Sequence, residues 1–499
     1  MMRSLSLRDL SLIASFFMLI FVFSCDSALD ENPKDRLTQS NFYQNEDQAV
    51  AAVDATYNQL YSIYTRLIYL VGSLPVDVEK NGLGMPNQHL QNLEFMRYTP
   101  QNSFIGSIWS NNYSGISRAN AAVNNISGME DGSIDQEIRK RLVAESRFLR
   151  GLYYFNLVRF FGGVPLVTQV ESIQDAMKPR AEKSKVYEQI ISDLEFAEQH
   201  LPISYSENNQ GRATKGAAKV LLGKVYLRRQ NWSGAASKLG EVIENESKYG
   251  YGLHEDYSDN WIQPSERGEE AIFYVEFMHP PHNSNSSAGL QGPKYSIYKG
   301  QGIPCVSNDF EADIPTEEVY NRFSSDDERK SVTFQTEFKC DDTVYSSEIP
   351  IFTKYREEGQ SVATQSNNNH HVLRYADALL MYGEALFEQG NEAKALSQIN
   401  RVRERAFNDD SYNYSSLTRQ KIWNERLLEF TQEGKRWFDL TRQGRLIERM
   451  KEHSKREQEI AGEPIREDLR NNIEDAMKLM PIPQREIDAN PKLEQNPGW

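Results

Sequence analysis

LLGKVYLRRQNWSGAASKL (residues 221–239) and LLMYGEALFEQGNEAKALSQI (residues 379–399) carry one spacing in common: a glycine, Gly223 or Gly383, followed 12 residues later by an alanine, Ala235 or Ala395. Apolar residues flank both at helical intervals, Leu222, Tyr226 and Leu239 in the first copy and Tyr382, Leu386 and Ile399 in the second. A glycine on one helix lets an antiparallel partner approach closely, and an alanine on that partner fills the small gap left. Larger residues at either place push the pair apart. Two helix hairpins of one design are therefore expected, far apart in the chain.

These are the spacings of a tetratricopeptide repeat. A looser third copy can be assembled from Gly151 and Tyr154 with Ile190, Leu194, Ala197 and Pro202. The copies are not in tandem, so the fold class expected is mostly α: a short tetratricopeptide-like helical superhelix interrupted by an irregular, loop-rich insertion. Further helices are predicted over residues 47–70, 108–126, 136–161 and 417–450, each apolar at spacings of three and four. From residue 249 to residue 369 the pattern breaks into short strand-like runs such as AIFYVEF and polar stretches such as HNSNSSAG. The expected organisation is an N-terminal helical part over 41–248, the insertion over 249–369, and C-terminal helices with an extended tail over 370–499.

The first 40 residues belong to neither part. Arg3 and Arg8 precede an apolar run, Leu10 to Phe23, that is well short of the roughly 20 residues a membrane-spanning helix needs. Ser24 and Cys25 close it, and a polar stretch follows. The reading is a lipoprotein signal over 1–24 and a flexible tether over 25–40, with Cys25 as the acylated anchor to outer-membrane lipid. The chain is acidic, with a net charge of −15, which disfavours nucleic acid as a partner. Cys305 and Cys340 are either a disulfide or two small buried residues.

Several longer motifs share one likeness: AESRFLRGLYYFNLVRFFGGVPLV (144–167), GRATKGAAKVLLGKVYL (211–227), RYADALLMYGEALFEQG (374–390), NERLLEFTQEGKRWFDLTRQGRL (424–446) and the ending MPIPQREIDANPKLEQNPGW (480–499). Together they resemble the SusD/RagB-like surface lipoproteins of glycan-uptake systems in Bacteroidetes-type bacteria. The chain departs from that pattern at Trp499, where tyrosine is more usual. The resemblance implies a SusD-like α–α superhelix and a non-enzymatic, surface-exposed protein. Such a protein captures an oligosaccharide and delivers it to a SusC-like, TonB-dependent transporter in the outer membrane. The motifs themselves read as structural: glycines and prolines that end helices, Arg212 and Thr214 that start one, and a proline-spaced tail that lies extended over the body.

No cofactor or metal is expected. Gly82 and Gly84 lack the third glycine of a dinucleotide loop, and Ser296 to Lys299 is an isolated S-x-x-K. His279, His282, His370 and His371 lack ligand spacing. Nothing selects a pair of acids for glycoside cleavage. Binding is better supplied, because sugars pack C–H faces on aromatic rings and take hydrogen bonds from amides and acids on loops. Two regions offer those types. The first holds Asp77, Asn81, His89 and Tyr98; the second holds Tyr257, Trp261, Tyr295, Tyr298 and Phe310, flanked by Asn283 and Asn285. At least two of Trp261, Tyr295 and Tyr298 are expected to line the pocket, whereas Trp109 and Trp437 read as core. The alternative reading is a tetratricopeptide scaffold that binds only protein, and a surface glycosidase ranks third.

Overall fold

The glycine of each repeat does admit a close neighbour, and its nearest contact is the side chain one turn beyond the alanine. A Cβ placed on Gly223 would lie 2.5 Å from Cγ of Leu239, and one on Gly383 would lie 2.7 Å from Cδ1 of Ile399. Leu239 and Ile399 stand one helical turn beyond Ala235 and Ala395 on the same buried face, so the spacing holds and the larger residue fills the gap. The third copy forms as well: a Cβ on Gly151 would meet Leu194 at 3.3 Å.

The computed structural model describes residues 42–82, 87–169, 175, 177–278, 303, 313–356, 366–461 and 465–499. The chain begins with α1 (Glu46–Tyr64), α2 (Leu67–Ser73), β1 (Glu79–Asn81) and α3 (Gln88–Glu94). Three long helices follow, α4 (Ser103–Ser127), α5 (Gln136–Phe161) and α6 (Lys183–His200), then the first repeat, α7 (Lys215–Arg228) with α8 (Trp232–Ile243), and a one-turn α9 (Glu246–Tyr249). The irregular part holds β2 (Ala271–Val275), β3 (Asp313–Pro315), α10 (Glu317–Tyr320), α11 (Glu328–Thr333), β4 (Phe334–Cys340) and β5 (Thr343–Phe352). After β6 (His370–Arg374) comes the second repeat, α12 (Tyr375–Glu388) with α13 (Glu392–Phe407). The chain ends in α14 (Arg419–Phe430), α15 (Arg436–Arg442), α16 (Leu446–Ala461), α17 (Ile465–Asn472) and α18 (Gln484–Ala489).

Side-chain caps start these helices, α4 at Ser103 rather than at the expected residue 108. Asn102, Asp135 and Thr214 each accept a backbone N–H from the first turn of α4, α5 and α7. Each long helix from α4 to α8 packs on the next, and α8 then packs directly on α12, which pairs with α13. The insertion therefore interrupts the sequence but not the stack. It is closed at its base by β2 and β6, antiparallel, with Val275 opposite His370 and Ala271 opposite Arg374.

Three expectations need correction. The helix predicted over 47–70 divides after Tyr64, and all seven residues of α2 turn inward to burial. The one predicted over 417–450 divides into α14, α15 and the start of α16 at Gly434 and Gly444, both at positive φ. The first break has a packing cause: Gly72 on α2 sits so close that a Cβ there would be 2.6 Å from the Gly434 carbonyl oxygen. The tail is not extended throughout, because Pro483 caps the short α18. Elsewhere it lies along the body as expected, Met480 N–H donating to Phe160 O (2.8 Å) and Gln484 N–H to Pro100 O (3.0 Å).

The repeat glycines are testable against a glycine with room around it. Gly383→Ala should lower stability by about 1–3 kcal/mol through overpacking against Ile399. Gly106→Ala, on α4 with nothing within 4 Å, should raise it by about 0.5–1 kcal/mol. Thermal unfolding of both variants measures the contrast.

Candidate functional site

One short ladder joins the two candidate regions. β1 pairs antiparallel with β3, placing Glu79 opposite Pro315, Lys80 opposite Ile314 and Asn81 opposite Asp313. The chain thus leaves β1 and enters β3 at neighbouring points. Behind the ladder the Tyr69 hydroxyl donates to Asp313 (2.6 Å). Burial first, and then the Asp313 charge, push the Glu79 carboxyl well above the usual carboxylate range. At the Asn81 end the backbone N–H donates to Glu94 (3.0 Å) and the side-chain amide to Gly82 O (3.0 Å), while the buried Oδ1 has no hydrogen-bond partner among the described residues. His89, on the first turn of α3, is partly exposed nearby in the chain. An amide carbonyl with spare capacity suits a hydroxyl donor.

Four other candidates hold the fold instead. Asp77, 1% exposed, accepts two bonds from Arg436 (2.7 Å each) and one from Arg449 (2.6 Å). Burial opposes its charge, but these guanidiniums hold its carboxyl well below the ordinary range. Tyr98 is buried, stacks on Trp499 with ring centres 5.4 Å apart, and fastens the tail. Tyr257 and Trp261 are buried with Tyr355, and the Tyr257 hydroxyl donates to Glu429 O (3.0 Å). Trp109 and Trp437 are core, as expected. Tyr295, Tyr298, Phe310, Asn283, Asn285, Cys305, the S-x-x-K motif, His279 and His282 lie outside the described residues, as do Gly84, Cys25 and the signal and tether. Cys340 is disulfide-bonded. Among the described residues no group of three or more His, Cys, Asp or Glu is placed to hold a metal ion, and no helix is long and apolar enough to cross a membrane.

What Tyr257 and Trp261 cover is a buried charge network that the pattern of apolar stripes does not reveal. Glu429 accepts from Arg329 (3.1 Å), Arg374 (2.7 Å) and Arg405 (2.6 Å). Arg374 also reaches Glu270 and Glu433, and Lys354 donates to Thr431 O (2.6 Å) beside Glu433. The guanidinium of Arg405 lies 4.9 Å from the Tyr257 ring centre and the Lys354 ammonium 5.0 Å from that of Trp261. The rings therefore roof cations rather than line an open hollow. One signal was present: Glu425 and Glu429 recur at i, i+4 among Leu427, Leu428 and Phe430, a spacing that marks buried acids needing cations.

A cleft of about 810 Å³ runs along α4, lined by Trp109, Tyr113, Asn120, Asn124, Met177 and Asn490. Its amides are engaged, Asn120 donating to Val167 O (2.8 Å) and Asn490 to Lys178 O (2.9 Å), so it is the seam between α4, the following loop and the tail.

Comparison with known proteins covers both ends of this architecture. A family model described as "SusD family" matches residues 335–499, and one described as "Starch-binding associating with outer membrane" matches residues 27–227. The SusD-like protein P25 of Formosa agariphila is 24% identical over 97% of this chain and 97% of its own. A solved structure of a laminarin binding SusD-like protein is similar at a TM-score of 0.77 and 25% identity, covering 92% of this chain and all of that one. A SusD homolog from Bacteroides thetaiotaomicron reaches a TM-score of 0.80 at 25% identity, over 92% of this chain and 98% of that one.

Two measurements separate a residue that holds the fold from one at the end of the β1–β3 ladder. Trp261→Ala should cost about 3–5 kcal/mol of stability, while Asn81→Ala should leave the unfolding temperature almost unchanged. Acid should also destabilise the protein. Burial holds His370 and His371 neutral, with pKa values of about 3 and about 4 against an ordinary 6.5, so the unfolded chain binds more protons below that pH. Glu266, pushed up to about 7 by burial, and Glu79, raised well above its ordinary range, offset the two histidines until about pH 4.5. Glu433, held down at about 2 against 4.5 because Arg374, Lys435 and Lys354 outweigh its burial, adds its loss below that. The unfolding temperature should therefore change little from about pH 6.5 to about 4.5 and fall steeply below about 4.5; a temperature that holds or rises below pH 4.5 contradicts this.

Proposed function

Because this chain belongs to the SusD/RagB family, we propose that it is a non-catalytic glycan-binding protein of the outer-membrane surface, anchored through acylated Cys25, that captures an oligosaccharide and passes it to a SusC-like, TonB-dependent transporter. The observation that carries this reading is the likeness of fold, over 92% of the chain, to a protein named for laminarin binding. The description of the second family model, starch-binding and associated with the outer membrane, agrees with it.

The binding site in this reading lies at the Asn81 end of the β1–β3 ladder, with Asn81 and His89 as candidates there and Tyr295, Tyr298 and Phe310, outside the described residues, as candidates from the insertion. Aromatic rings take the C–H faces of the sugar, and the free Asn81 carbonyl takes a hydroxyl. A polar tether after Cys25 lets the protein swing over the transporter, so that transport can empty a site from which the ligand was bound only weakly.

A glycan array followed by calorimetry on the mature chain should find an oligosaccharide bound with a Kd of roughly micromolar to millimolar. Prolonged incubation should release no shorter products. Tyr295→Ala with Tyr298→Ala should weaken binding about fivefold or more without lowering the unfolding temperature. Turnover of the glycan, or unchanged affinity in the double variant, would count against the reading.

A further inference from the structure

A second cavity, of about 280 Å³, lies between α14, α15 and α16, and its walls are made of cations. Arg322, Arg436, Arg445, Arg449 and Arg456 line it together with the ring of Trp423. In a chain of net charge −15, five guanidiniums around one hollow need an explanation.

The nearby carboxylates do not use them up. Asp77 is held by Arg436 and Arg449. Glu318 accepts from Arg322 (2.6 Å), Arg456 (3.0 Å) and Arg449, with His453 on its other oxygen (2.9 Å). Glu452, at the rim, is bound by Arg449 (3.2 Å). Among the described residues Arg445 meets Gln420 (3.1 Å) and approaches the exposed Glu448 at 3.9 Å, and its guanidinium lies 5.1 Å from the Trp423 ring centre. Each guanidinium carries five N–H donors, so many remain after these bonds are counted. Paired charges fix the inner wall, and spare donors remain at the mouth.

Such an arrangement matches an oxyanion, whose oxygens take paired N–H donors from arginine. The Trp423 face beside it suits the C–H face of a sugar ring, and Asn424 and Gln420 suit hydroxyls. Ligand pockets start at about 300 Å³, so the volume fits one sugar unit rather than a chain. We propose that this cavity is a subsite for the sulfate ester or uronate carboxylate of an acidic sugar, and that it biases the protein toward acidic glycans. The proposal rests on the glycan-binding reading above.

The test uses the mature chain and matched oligosaccharides: a sulfated galactan with its desulfated counterpart, a uronan with its carboxyl-reduced counterpart, and inorganic sulfate alone. Calorimetry should show the sulfated or the carboxylated member binding about tenfold tighter than its neutral counterpart, with an advantage that shrinks as salt rises. Which member does so identifies the anion. Arg445→Gln with Arg456→Gln, which leaves the Asp77 clamp intact, should abolish the advantage and keep neutral binding. The salt dependence of the unaltered chain gives the same answer if the variant unfolds. Equal binding of acidic and neutral members overturns the subsite while leaving glycan binding in place, and so does inorganic sulfate binding as tightly as the sulfated sugar. If no oligosaccharide binds, the functional reading fails. Glucuronate monosaccharide then decides the cavity: binding that the double variant loses supports it, and no binding overturns it.

Discussion

Glu429 accepts hydrogen bonds from three arginines that come from three different parts of the chain, and the molecule's assembly depends on that convergence. Arg329 lies on α11 within the irregular insertion, Arg374 stands where the insertion returns to the helical stack, and Arg405 sits on α13 of the second repeat. Removing such charges from water is costly, and the cost is offset only when every partner is present with good geometry. Here the carboxylates of Glu270, Glu425 and Glu433 complete the set, and Arg329 and Arg374 are both fully buried. A chain that lacked one of these partners would leave a buried charge uncompensated. The network therefore penalises any placement of the insertion other than this one.

That constraint explains how an excursion longer than any helix can leave the stack without loosening the scaffold. α8 packs on α12 as though the intervening residues were absent, and β2 with β6 closes the base of the excursion. Tyr257 and Trp261 roof the charges, so the irregular part meets the helices through an aromatic and ionic floor. From that floor β3 extends to pair with β1, which brings Asn81 opposite Asp313. A second charged cluster repeats the device on the far side of β1, where Asp77 and Glu318 organise α15, α16 and α10 through arginines.

The sequence was most informative where one residue type had one physical job. Glycine at 223 and 383 marked both repeat hairpins because only glycine tolerates the approach of Leu239 and Ile399, and Thr214 marked a helix start because its side chain accepts an orphan N–H. The residues of the proposed site were less legible. Tyr98, Tyr257 and Trp261 have the composition of a sugar platform, yet the tail stacks on the first and the charge network lies under the other two. Composition cannot tell a ring that faces sugar from one that faces a guanidinium, because both rely on the same π face. Asn81 was legible only as a polar loop residue. Its unpartnered carbonyl and its place opposite Asp313 depend on a pairing between segments far apart in sequence.

Family likeness and bottom-up packing agree on the scaffold, and the network under the insertion is what ties that scaffold to the proposed site. Hydrogen exchange on Glu429→Gln, compared with the unaltered chain, tests this most directly. If the network clamps the insertion, amides of β2, β6 and residues 328–352 should lose protection, those of α4 through α8 should keep theirs, and global stability should drop by about 3–5 kcal/mol. Exchange that rises uniformly over the whole molecule, or that leaves β2 and β6 protected, would contradict it.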